Sequence, residues 1–580
     1  MSCLFCRRTP RAVLLCLALC SFQLSLAADW LFRNGKSDYA IVLPSGASVS
    51  ERTAAYELRD ILRQVSGASL PVVERPSDTR IRQIHIGWSE ELDTKRPADE
   101  DEGFTYKTLG ADLYIYGGRE RGTMYGVYAF LEEEFGVHWL TGKCTVVPKK
   151  GEYALRKLQR NDRPTFARRL DFCYEALRDD AWVAHNRLNT QYVYRSGKHG
   201  ILNAYWGIHT FGRLIPADKY YESHPEYFSL YKGKRSDKAQ LCLSNKAMRL
   251  ELVRNLKQFV HDNPGRWCYD VSQNDNSLPC ECSDCAKLVR KYGGQSGAMI
   301  WFVNQVAKEV KKDYPDILIG TFAYRYTRQA PTSSIKPAKN VLVRLCDIEC
   351  CMAHPLDECP ENKSFVKDME DWKKKTKNIF IWDYTTGFMN YLLPFPNFHV
   401  LASNYQYFHA NHVLGLLEEG AHNAPWSEFS ELKQWLVAKL MWNPRQDVDS
   451  LMNVFIEGYY GKAAPYVRQY VSLCQKQVTD KTHYTIKIDW KSNLYGDDYV
   501  NEGIKVLQQA ANASRQDAEQ RRRVQRLQAQ LYYLKLRRSP AKGVADGTKQ
   551  RLVDILHSDS TIVSEQGRDI DTLLKEMGYY

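Results

Sequence analysis

Beyond residue 160, short apolar runs alternate with longer segments in which apolar residues recur at helical spacing. Short apolar runs between polar residues indicate buried strands, and a recurrence every three to four residues indicates an amphipathic helix. Helical spacing is present at residues 248–261, 298–312 and 365–372. The pattern predicts eight strands, near residues 166–172, 188–194, 202–209, 267–272, 317–324, 341–346, 379–384 and 413–419.

Eight strands that alternate with helices are typical of a (β/α)8 TIM-like barrel, an α/β fold, which we assign to residues 160–445. An open doubly wound sheet is the competing α/β fold. No glycine-rich phosphate loop follows any predicted strand, and this favours the barrel.

The segments on either side of the predicted barrel have other patterns. Residues 29–155 combine strand-like segments at 39–46, 81–87 and 112–118 with two amphipathic segments, and they predict a small α+β domain. Residues 446–580 carry apolar residues at helical spacing, such as Val524, Leu527, Leu531 and Leu534, and predict a packed helical C-terminal region.

The first 28 residues predict a signal peptide. Three arginines within residues 7–11 precede an apolar stretch, and a small-residue cleavage site follows at 25–27. The alternative is a membrane anchor, but the apolar stretch is short and contains Ser and Gln. We therefore expect an exported protein, periplasmic or secreted, without a membrane span.

The formal net charge of +12 falls partly on the C-terminal third, for example at residues 521–523. Nucleic-acid binding is one interpretation of this excess, and a solvated helix face is the other. Export favours the solvated face, so we expect no nucleic-acid partner. The sequence leaves the oligomeric state open.

Four of the sixteen cysteines lie within the first 28 residues, and seven of the other twelve lie between Cys280 and Cys359. Cys280, Cys282 and Cys285 form a C-x-C-x-x-C pattern just after the fourth predicted strand. Two interpretations stay open for this pattern. One is a structural tetrahedral zinc site whose fourth ligand is Cys346, Cys350, Cys351 or Cys359, and the other is a set of disulfides. Redox catalysis is disfavoured because no thioredoxin-like unit surrounds the motif. We expect no cofactor for catalysis, and a pinned loop that orients Asp275.

The active site of a barrel lies at the carboxyl ends of its strands. These ends combine carboxylates with aromatic residues, which is the mixture that glycoside cleavage needs. Each residue also has a structural alternative, such as a loop cap for Asp275, a locking ion pair for Glu418 and core packing for Trp382. The strand-end residues are Glu175, His209, Asn274, Asp275, Tyr324, Arg325, Asp347, Glu349, Trp382, Asp383, Tyr384, Glu418 and Glu419, and Trp206 lies just before His209.

Several segments of residues 166–470 resemble, in order, a bacterial domain family of unknown function associated with glycoside hydrolase family 163. They include HTFGRLIP, HPEYFSLYKGKR, SQNDN with CECSDC, VRLCDIECC, IWDYTTGFMNYLLPFPNF and LLEEG. The preceding unit, which ends in GTMYGVYAFLEEEFGVHWL, is similar to the second domain of family 20 hexosaminidases and to the N-terminal domain of α-glucuronidases. The resemblance implies an exported endo-β-N-acetylglucosaminidase that cuts the chitobiose core of complex N-glycans. The family has Phe-Glu-Gln-Gly where this chain has LEEG at 417–420, so the acid at Glu419 is a departure.

An N-acetylated substrate suggests substrate-assisted retaining catalysis, in which the acetamide oxygen attacks the anomeric carbon. We expect Glu418 or Asp275 to act as the acid and Asn274, beside Asp275, to help orient the acetamide. The expected glycan-binding residues are His209, Trp206, Tyr324, Trp382, Asp383, Tyr384 and Glu419.

Three alternatives remain to that activity. One is an exo-acting hexosaminidase or α-glucuronidase, for which Arg325 or Arg328 would bind a uronate. The others are a non-catalytic glycan-binding protein and a zinc-dependent hydrolase.

Overall fold

The computed structural model describes residues 29–75, 81–191, 195–559 and 562–579. The predicted signal peptide lies outside these ranges. Within them, no helix combines the length and the apolar character needed to cross a bilayer.

The N-terminal domain is a six-stranded mixed sheet covered by two helices. Its sheet has the order β10-β5-β6-β4-β2-β3. Because β10 pairs with β5, the sheet reaches residue 162, beyond the expected boundary at 155. The elements are β1 (Trp30–Arg33), β2 (Tyr39–Val42), α1 (Val49–Ser66), β3 (Val72–Val73), β4 (Arg82–Ile86), β5 (Phe104–Leu109), β6 (Asp112–Gly117), α2 (Gly122–Phe135), β7 (His138–Thr141), β8 (Cys144–Val146), β9 (Glu152–Ala154) and β10 (Gln159–Asp162).

The residues at the two ends of helix α1 explain where the helix begins and ends. Ser48 accepts a hydrogen bond from the Glu51 backbone N–H, and the Glu51 side chain accepts one from the Ser48 N–H. This reciprocal capping box satisfies two backbone donors that an isolated helix end leaves unpaired. Gly67, in the left-handed conformation, ends the helix.

The second unit is the predicted barrel. Eight parallel strands follow in the order β11-β21-β20-β19-β18-β17-β14-β12. The Asn189 N–H, just before β12, donates to the Arg169 carbonyl in β11 over 3.3 Å, so the sheet is nearly closed. The barrel prediction is confirmed. The strands are β11 (Arg168–Phe172), β12 (Thr190–Gln191), β13 (Arg195–Gly197), β14 (Gly200–Trp206), β15 (Leu230–Tyr231), β16 (Lys234–Arg235), β17 (Arg266–Asp270), β18 (Leu318–Ala323), β19 (Val341–Cys346), β20 (Ile379–Tyr384) and β21 (Gly415–Glu419).

Helices surround the barrel and continue into a helical C-terminal region, as predicted. The α-helices are α3 (Asp180–His185), α4 (Phe211–Leu214), α5 (Ala217–Tyr220), α6 (Lys246–Asp262), α7 (Ser283–Tyr292), α8 (Gln295–Val310), α9 (Lys363–Lys373), α10 (Phe398–Ala410), α11 (Ser430–Trp442), α12 (Val448–Tyr460), α13 (Ala464–Gln475), α14 (Asp497–Ala513), α15 (Ala518–Arg538), α16 (Pro540–Ala545), α17 (Thr548–Asp559) and α18 (Ile570–Glu576). Short 3-10 turns lie at Pro225–Tyr227, Arg325–Thr327, Pro360–Asn362, Gly461–Ala463 and Asn493–Tyr495.

The N-terminal domain is docked on the barrel through buried charges and one indole. Arg169 of β11 forms a 2.8 Å ion pair with Glu102. Trp442, at the end of α11, stacks on Phe104 with the ring centroids 5.9 Å apart. Burying an indole and a paired guanidinium together fixes the two units relative to each other.

The interior of the barrel is filled below its carboxyl end. The Arg344 guanidinium lies 3.8 Å from the centroid of the Tyr205 ring. Arg344 Nη1 also lies 3.7 Å from Asp270 Oδ2, and both side chains are buried. This layer fills the interior below the cavity at the carboxyl ends of the strands.

The C-terminal region reaches back to that open end. The Phe388 N–H donates to the Ile486 carbonyl over 2.8 Å, and the Glu565 N–H donates to the Phe388 carbonyl over 3.0 Å. Two segments distant in sequence therefore complete the rim above the strand ends.

Candidate active site

A cavity of about 310 Å³ occupies the carboxyl end of the barrel. This volume lies at the lower end of the range for small-molecule sites. The strand ends and the loops after them supply most of its wall, and the C-terminal region supplies the rest. The lining residues are Phe172, Ile208, His209, Asp275, Phe322, Tyr324, Arg325, Cys346, Ile348, Trp382, Tyr384, Phe388, Met389, Glu419, His422, Ile486, Lys487, Glu565 and Gln566.

Glu419 is the buried acid of the cavity. Trp382 Nε1 donates a hydrogen bond to Glu419 Oε2 over 2.8 Å. The second carboxyl oxygen, Oε1, lies 3.8 Å from Nδ1 of His422. The indole thus fixes one oxygen, and the other lies near His422, which also lines the cavity.

Burial raises the pKa of Glu419 from 4.5 to about 8, although the hydrogen bond from Trp382 opposes the shift. The negative charges of Glu565 and Asp275 also raise it. Desolvation and like charge both disfavour the ionised form of a carboxyl group. At neutral pH Glu419 therefore holds a proton that it can donate.

Asp275 is the second acid of the cavity, and its side chain is 55% exposed. The Tyr324 hydroxyl donates to Asp275 Oδ1 over 3.1 Å. The Arg325 guanidinium also faces this oxygen, with Nη1 3.7 Å away, and His209 Nε2 lies 3.9 Å from it. Asp275 is consequently an exposed acid that faces groups from two other strand ends, those of β18 and β14.

His209 is held in one orientation by its backbone and by a hydrogen bond. Its Nδ1 lies 2.7 Å from the Gln273 carbonyl, so this nitrogen carries the proton and donates it. Burial lowers the pKa of His209. Both Ile208 and His209 have positive φ angles, of 71° and 51°. A positive φ is uncommon for residues other than glycine, above all for a β-branched residue such as Ile208.

Aromatic rings form much of the cavity wall. Trp382 contacts Phe322 edge to face, and Tyr384 contacts Phe388 in the same way. His422 stacks on Phe172 with the centroids 4.6 Å apart. Flat apolar surfaces of this kind suit the apolar faces of pyranose rings, and they lose little conformational entropy on binding.

Glu418 and Asp383, both expected at the site, lie outside the cavity. Side chains alternate between the two faces of a strand, and residues in register on parallel strands share a face. Tyr384 is in register with Glu419 and faces the cavity, whereas Asp383 is in register with Glu418 and faces the helices. Glu418 is fully buried and interacts there with the Tyr405 hydroxyl of α10.

A group of four buried carboxyls results on the outer face of the strands. Asp171 and Glu418 are in register, and Asp347 interacts with Asp383. All four are almost completely buried. Burial and mutual repulsion raise the pKa values of Glu418 and Asp347 well above their usual range. These four acids lie in the barrel wall and do not line the cavity.

Asn274 and Trp206 are also outside the cavity. The Asn274 side-chain carbonyl accepts from the Gly212 N–H over 2.9 Å, and its amide donates to the Ala239 carbonyl over 3.0 Å. The carbonyl and the amino group of the Asn274 side chain are therefore both hydrogen-bonded to the backbone of neighbouring segments. Trp206 packs against Phe259, with the rings 4.3 Å apart.

Glu565, Gln566, Ile486 and Lys487 were not expected from the sequence. They follow the last barrel strand by more than sixty residues and belong to no recognisable motif. Burial and the charge of Asp275 raise the pKa of Glu565.

The expected cysteine cluster assembles, with Cys242 as its fourth member. The Cys242 sulfur lies 3.7 Å from Cys282 and 3.8 Å from Cys285, and Cys280 joins the same group. Cys242 was not among the four candidates for this position. All four thiols are free, since a disulfide requires sulfurs about 2.05 Å apart.

The segment that supplies Cys242 also contacts the loop that carries Asp275. Gln240, two residues before Cys242, accepts a hydrogen bond from the Asn274 N–H and donates to the Asn276 carbonyl. The loop around Asp275 is thereby tied to the same segment that supplies the fourth sulfur.

Residues 139–472, more than half of the chain, match the family model described as DUF4838, a domain of unknown function. The chain belongs to this family. No curated protein matches it in sequence.

A solved glycoside hydrolase structure shares the fold. A family GH115 4-O-methyl-α-glucuronidase with specificity for decorated arabinogalactans has a TM-score of 0.56 at 11% identity, over 91% of this chain and 76% of that chain. A Flavobacterium johnsoniae chitobiase of family GH20 has a TM-score of 0.45 at 12% identity, over 94% of this chain and 96% of that chain. The similarity to the glucuronidase agrees with the barrel and its flanking domains.

Proposed function

We propose that this protein is a glycoside hydrolase whose active site is the cavity at the carboxyl end of the barrel. The observation that carries the proposal is Glu419, a buried carboxyl whose pKa is raised to about 8 and which shares the cavity with Asp275. Two carboxyl groups in unlike environments are the pattern by which glycosidases divide their chemical roles.

Glu419 is the general acid in this proposal. Its proton passes to the glycosidic oxygen as the bond from that oxygen to the anomeric carbon breaks. Trp382 holds one oxygen of the carboxyl and supports the carboxylate that remains. We therefore assign the role of general acid to Glu419 and not to Glu418, because Glu418 lies outside the cavity.

We further propose that the substrate carries an N-acetyl group at the bond that is cleaved, as in an endo-β-N-acetylglucosaminidase acting on complex N-glycans. The acetamide N–H donates to Asp275, and the acetamide oxygen bonds to the anomeric carbon as the leaving group departs. The Tyr324 hydroxyl keeps Asp275 in position. Water then opens the cyclic intermediate with net retention, and the Glu419 carboxylate accepts the proton of that water.

An exo-acting α-glucuronidase is the second candidate, because Arg325 lines the cavity with its guanidinium 3.7 Å from Asp275. A uronate carboxylate would displace this contact and bind the guanidinium. Arg328 is unavailable for that role, since it pairs with Asp368 and Glu349.

The experiment is a comparison of substrates for the wild type and for Glu419→Gln. The substrates are a complex biantennary N-glycoprotein analysed by mass spectrometry, a 4-nitrophenyl β-N-acetylglucosaminide and a 4-nitrophenyl α-glucuronide. Release of glycans that end in a single reducing N-acetylglucosamine, with inhibition by a thiazoline analogue of that sugar, supports the endo-acting proposal. Turnover of the glucuronide alone supports the second candidate, and no turnover of any glycoside contradicts both.

We also propose that the protein is exported. A structural zinc ion is bound, in this proposal, by Cys242, Cys280, Cys282 and Cys285. In a tetrahedral zinc site with bonds of about 2.3 Å, neighbouring sulfurs are about 3.8 Å apart. The separations of 3.7 and 3.8 Å at Cys242 agree with this value. Four protein ligands leave no open position for water, so this ion would shape the Asp275 loop and take no part in the reaction.

A further inference from the structure

A second group of sulfur and nitrogen ligands lies near segments that line the cavity. Cys351, His354, Cys359 and His483 each place one ligand atom within 4.8 Å of the others. The first three lie in the loop after β19, and His483 lies between α13 and α14. The sequence gives a C-x-x-H-x-x-x-x-C pattern for the first three but no sign of the fourth.

The separations fit a tetrahedron around one ion. Cys351 Sγ lies 3.4 Å from His483 Nδ1 and 3.8 Å from His354 Nδ1. Cys359 Sγ lies 3.7 Å from His483 Nδ1 and 3.8 Å from His354 Nδ1. Zinc bonds of about 2.3 Å to sulfur and about 2.0–2.1 Å to nitrogen put the two ligand types about 3.6 Å apart in a tetrahedron.

Groups behind the ligands orient them for binding. His354 Nε2 lies 3.1 Å from the Thr479 carbonyl, so this nitrogen carries the proton and Nδ1 presents its lone pair to the cluster. Metal-binding histidines in proteins are generally oriented by such a second hydrogen bond. The Ala353 N–H donates to Cys351 Sγ over 3.4 Å, which helps to hold that sulfur in place.

The loop that carries the ligands is rigid independently of the ion. The Asn362 side chain accepts from the Cys351 N–H and donates to the Cys351 carbonyl, at 2.8 and 3.1 Å. The Met352 N–H donates to the Tyr484 carbonyl over 2.8 Å, which brings His483 to the loop. A preformed set of ligands binds a metal without a large cost of ordering.

We infer that Cys351, His354, Cys359 and His483 bind a structural zinc ion that fastens the segment after α13 to the barrel. The two chain segments that the ion would join both continue into the wall of the cavity. Ile348 precedes the ligand loop, and Ile486 and Lys487 follow His483, and all three line the cavity. The ion would therefore set the position of the rim while taking no part in chemistry. This assignment stands independently of the glycosidase proposal.

The test is the zinc content of the full chain, measured by inductively coupled plasma mass spectrometry after gel filtration without chelator. We expect two zinc ions per wild-type chain, one in each cluster. His483→Ala and Cys359→Ser should each bind one, Cys282→Ser should bind one, and His483→Ala with Cys282→Ser should bind none. His261→Ala, an exposed histidine on α6, and Cys144→Ser, a thiol outside both clusters, are the matched controls and should keep two.

Replacement of zinc by cobalt gives a second measurement that does not depend on activity. Cobalt in a Cys2His2 site has visible absorption bands of tetrahedral geometry together with a sulfur-to-metal charge-transfer band. Cys282→Ser keeps only the Cys2His2 site, and the double variant keeps neither site. The difference between their cobalt spectra should therefore show the tetrahedral bands and the charge-transfer band. The inference is overturned if His483→Ala keeps the wild-type zinc content, or if the wild type contains a Cys351–Cys359 disulfide instead of metal. If a variant folds poorly, a wild-type chain that contains no zinc overturns the inference.

Discussion

The Trp382 indole N–H donates to Glu419 Oε2 over 2.8 Å at the carboxyl end of two neighbouring barrel strands. The bond joins an aromatic wall of the cavity to its buried acid. The next residue on one strand and the preceding residue on the other, Asp383 and Glu418, face away from the cavity. Adjacent acids on one strand thus have different surroundings, and their substitution should have different consequences.

Glu419→Gln should lower kcat by roughly 10²- to 10⁴-fold, the usual contribution of a general acid. The amide keeps the shape of the side chain but has no acidic proton. The measurement is kcat on the best substrate from the panel, with circular dichroism to verify folding. Glu418→Gln, the adjacent and equally buried position, is the matched control, and equal losses in the two variants would contradict the assignment.

The pH dependence of kcat should follow the proton on Glu419. A general acid is active in its protonated form, so activity should fall as the pH rises through about 8. Trp382→Phe removes the hydrogen bond that lowers this pKa, and the alkaline limb of the profile should then move to higher pH. A profile whose alkaline limb is unchanged in this variant would exclude Glu419 as the group that titrates.

Tyr324→Phe should lower kcat/KM for N-acetylated substrates by roughly 10- to 100-fold, because a hydrogen bond to a charged group contributes about 1.5–3 kcal/mol. The variant loses the hydroxyl that holds Asp275. Tyr326→Phe, on the same turn but outside the cavity, is the control. If both variants retain the wild-type kcat/KM, the hydrogen bond between Tyr324 and Asp275 does not contribute to the reaction.

Glu418→Gln should leave activity within a few-fold of the wild type and change how stability depends on pH. The folded state raises the pKa of Glu418 above 4.5, so the folded protein binds this proton more tightly than the unfolded chain. The resulting stabilisation is complete below pH 4.5 and is lost as the pH rises from there toward the raised pKa.

Glutamine cannot ionise, and the variant should therefore lose less stability between pH 5 and pH 8 than the wild type. Urea midpoints measured at several pH values check this expectation. Parallel curves for the two proteins would contradict a raised pKa of Glu418 in the folded state.

The sequence by itself determined the barrel. Each of the eight apolar runs is a strand, since a strand buried on both faces must be apolar nearly throughout. It also placed His209, Asp275, Tyr324, Trp382, Tyr384 and Glu419 at the carboxyl ends that line the cavity. These placements depend on the local pattern and on the known side of a barrel that carries its active site.

The tertiary structure decided which face each residue occupies and which distant segments meet. Leu417, Glu418 and Glu419 are all buried, so no alternation of polar and apolar residues in the sequence shows which acid points inward. The contacts of Cys242 with Cys282, and of His483 with Cys351, join positions 40 and 132 residues apart. Local periodicity carries no information about such pairs, because their approach depends on how the strands close and how the helical region returns across the rim.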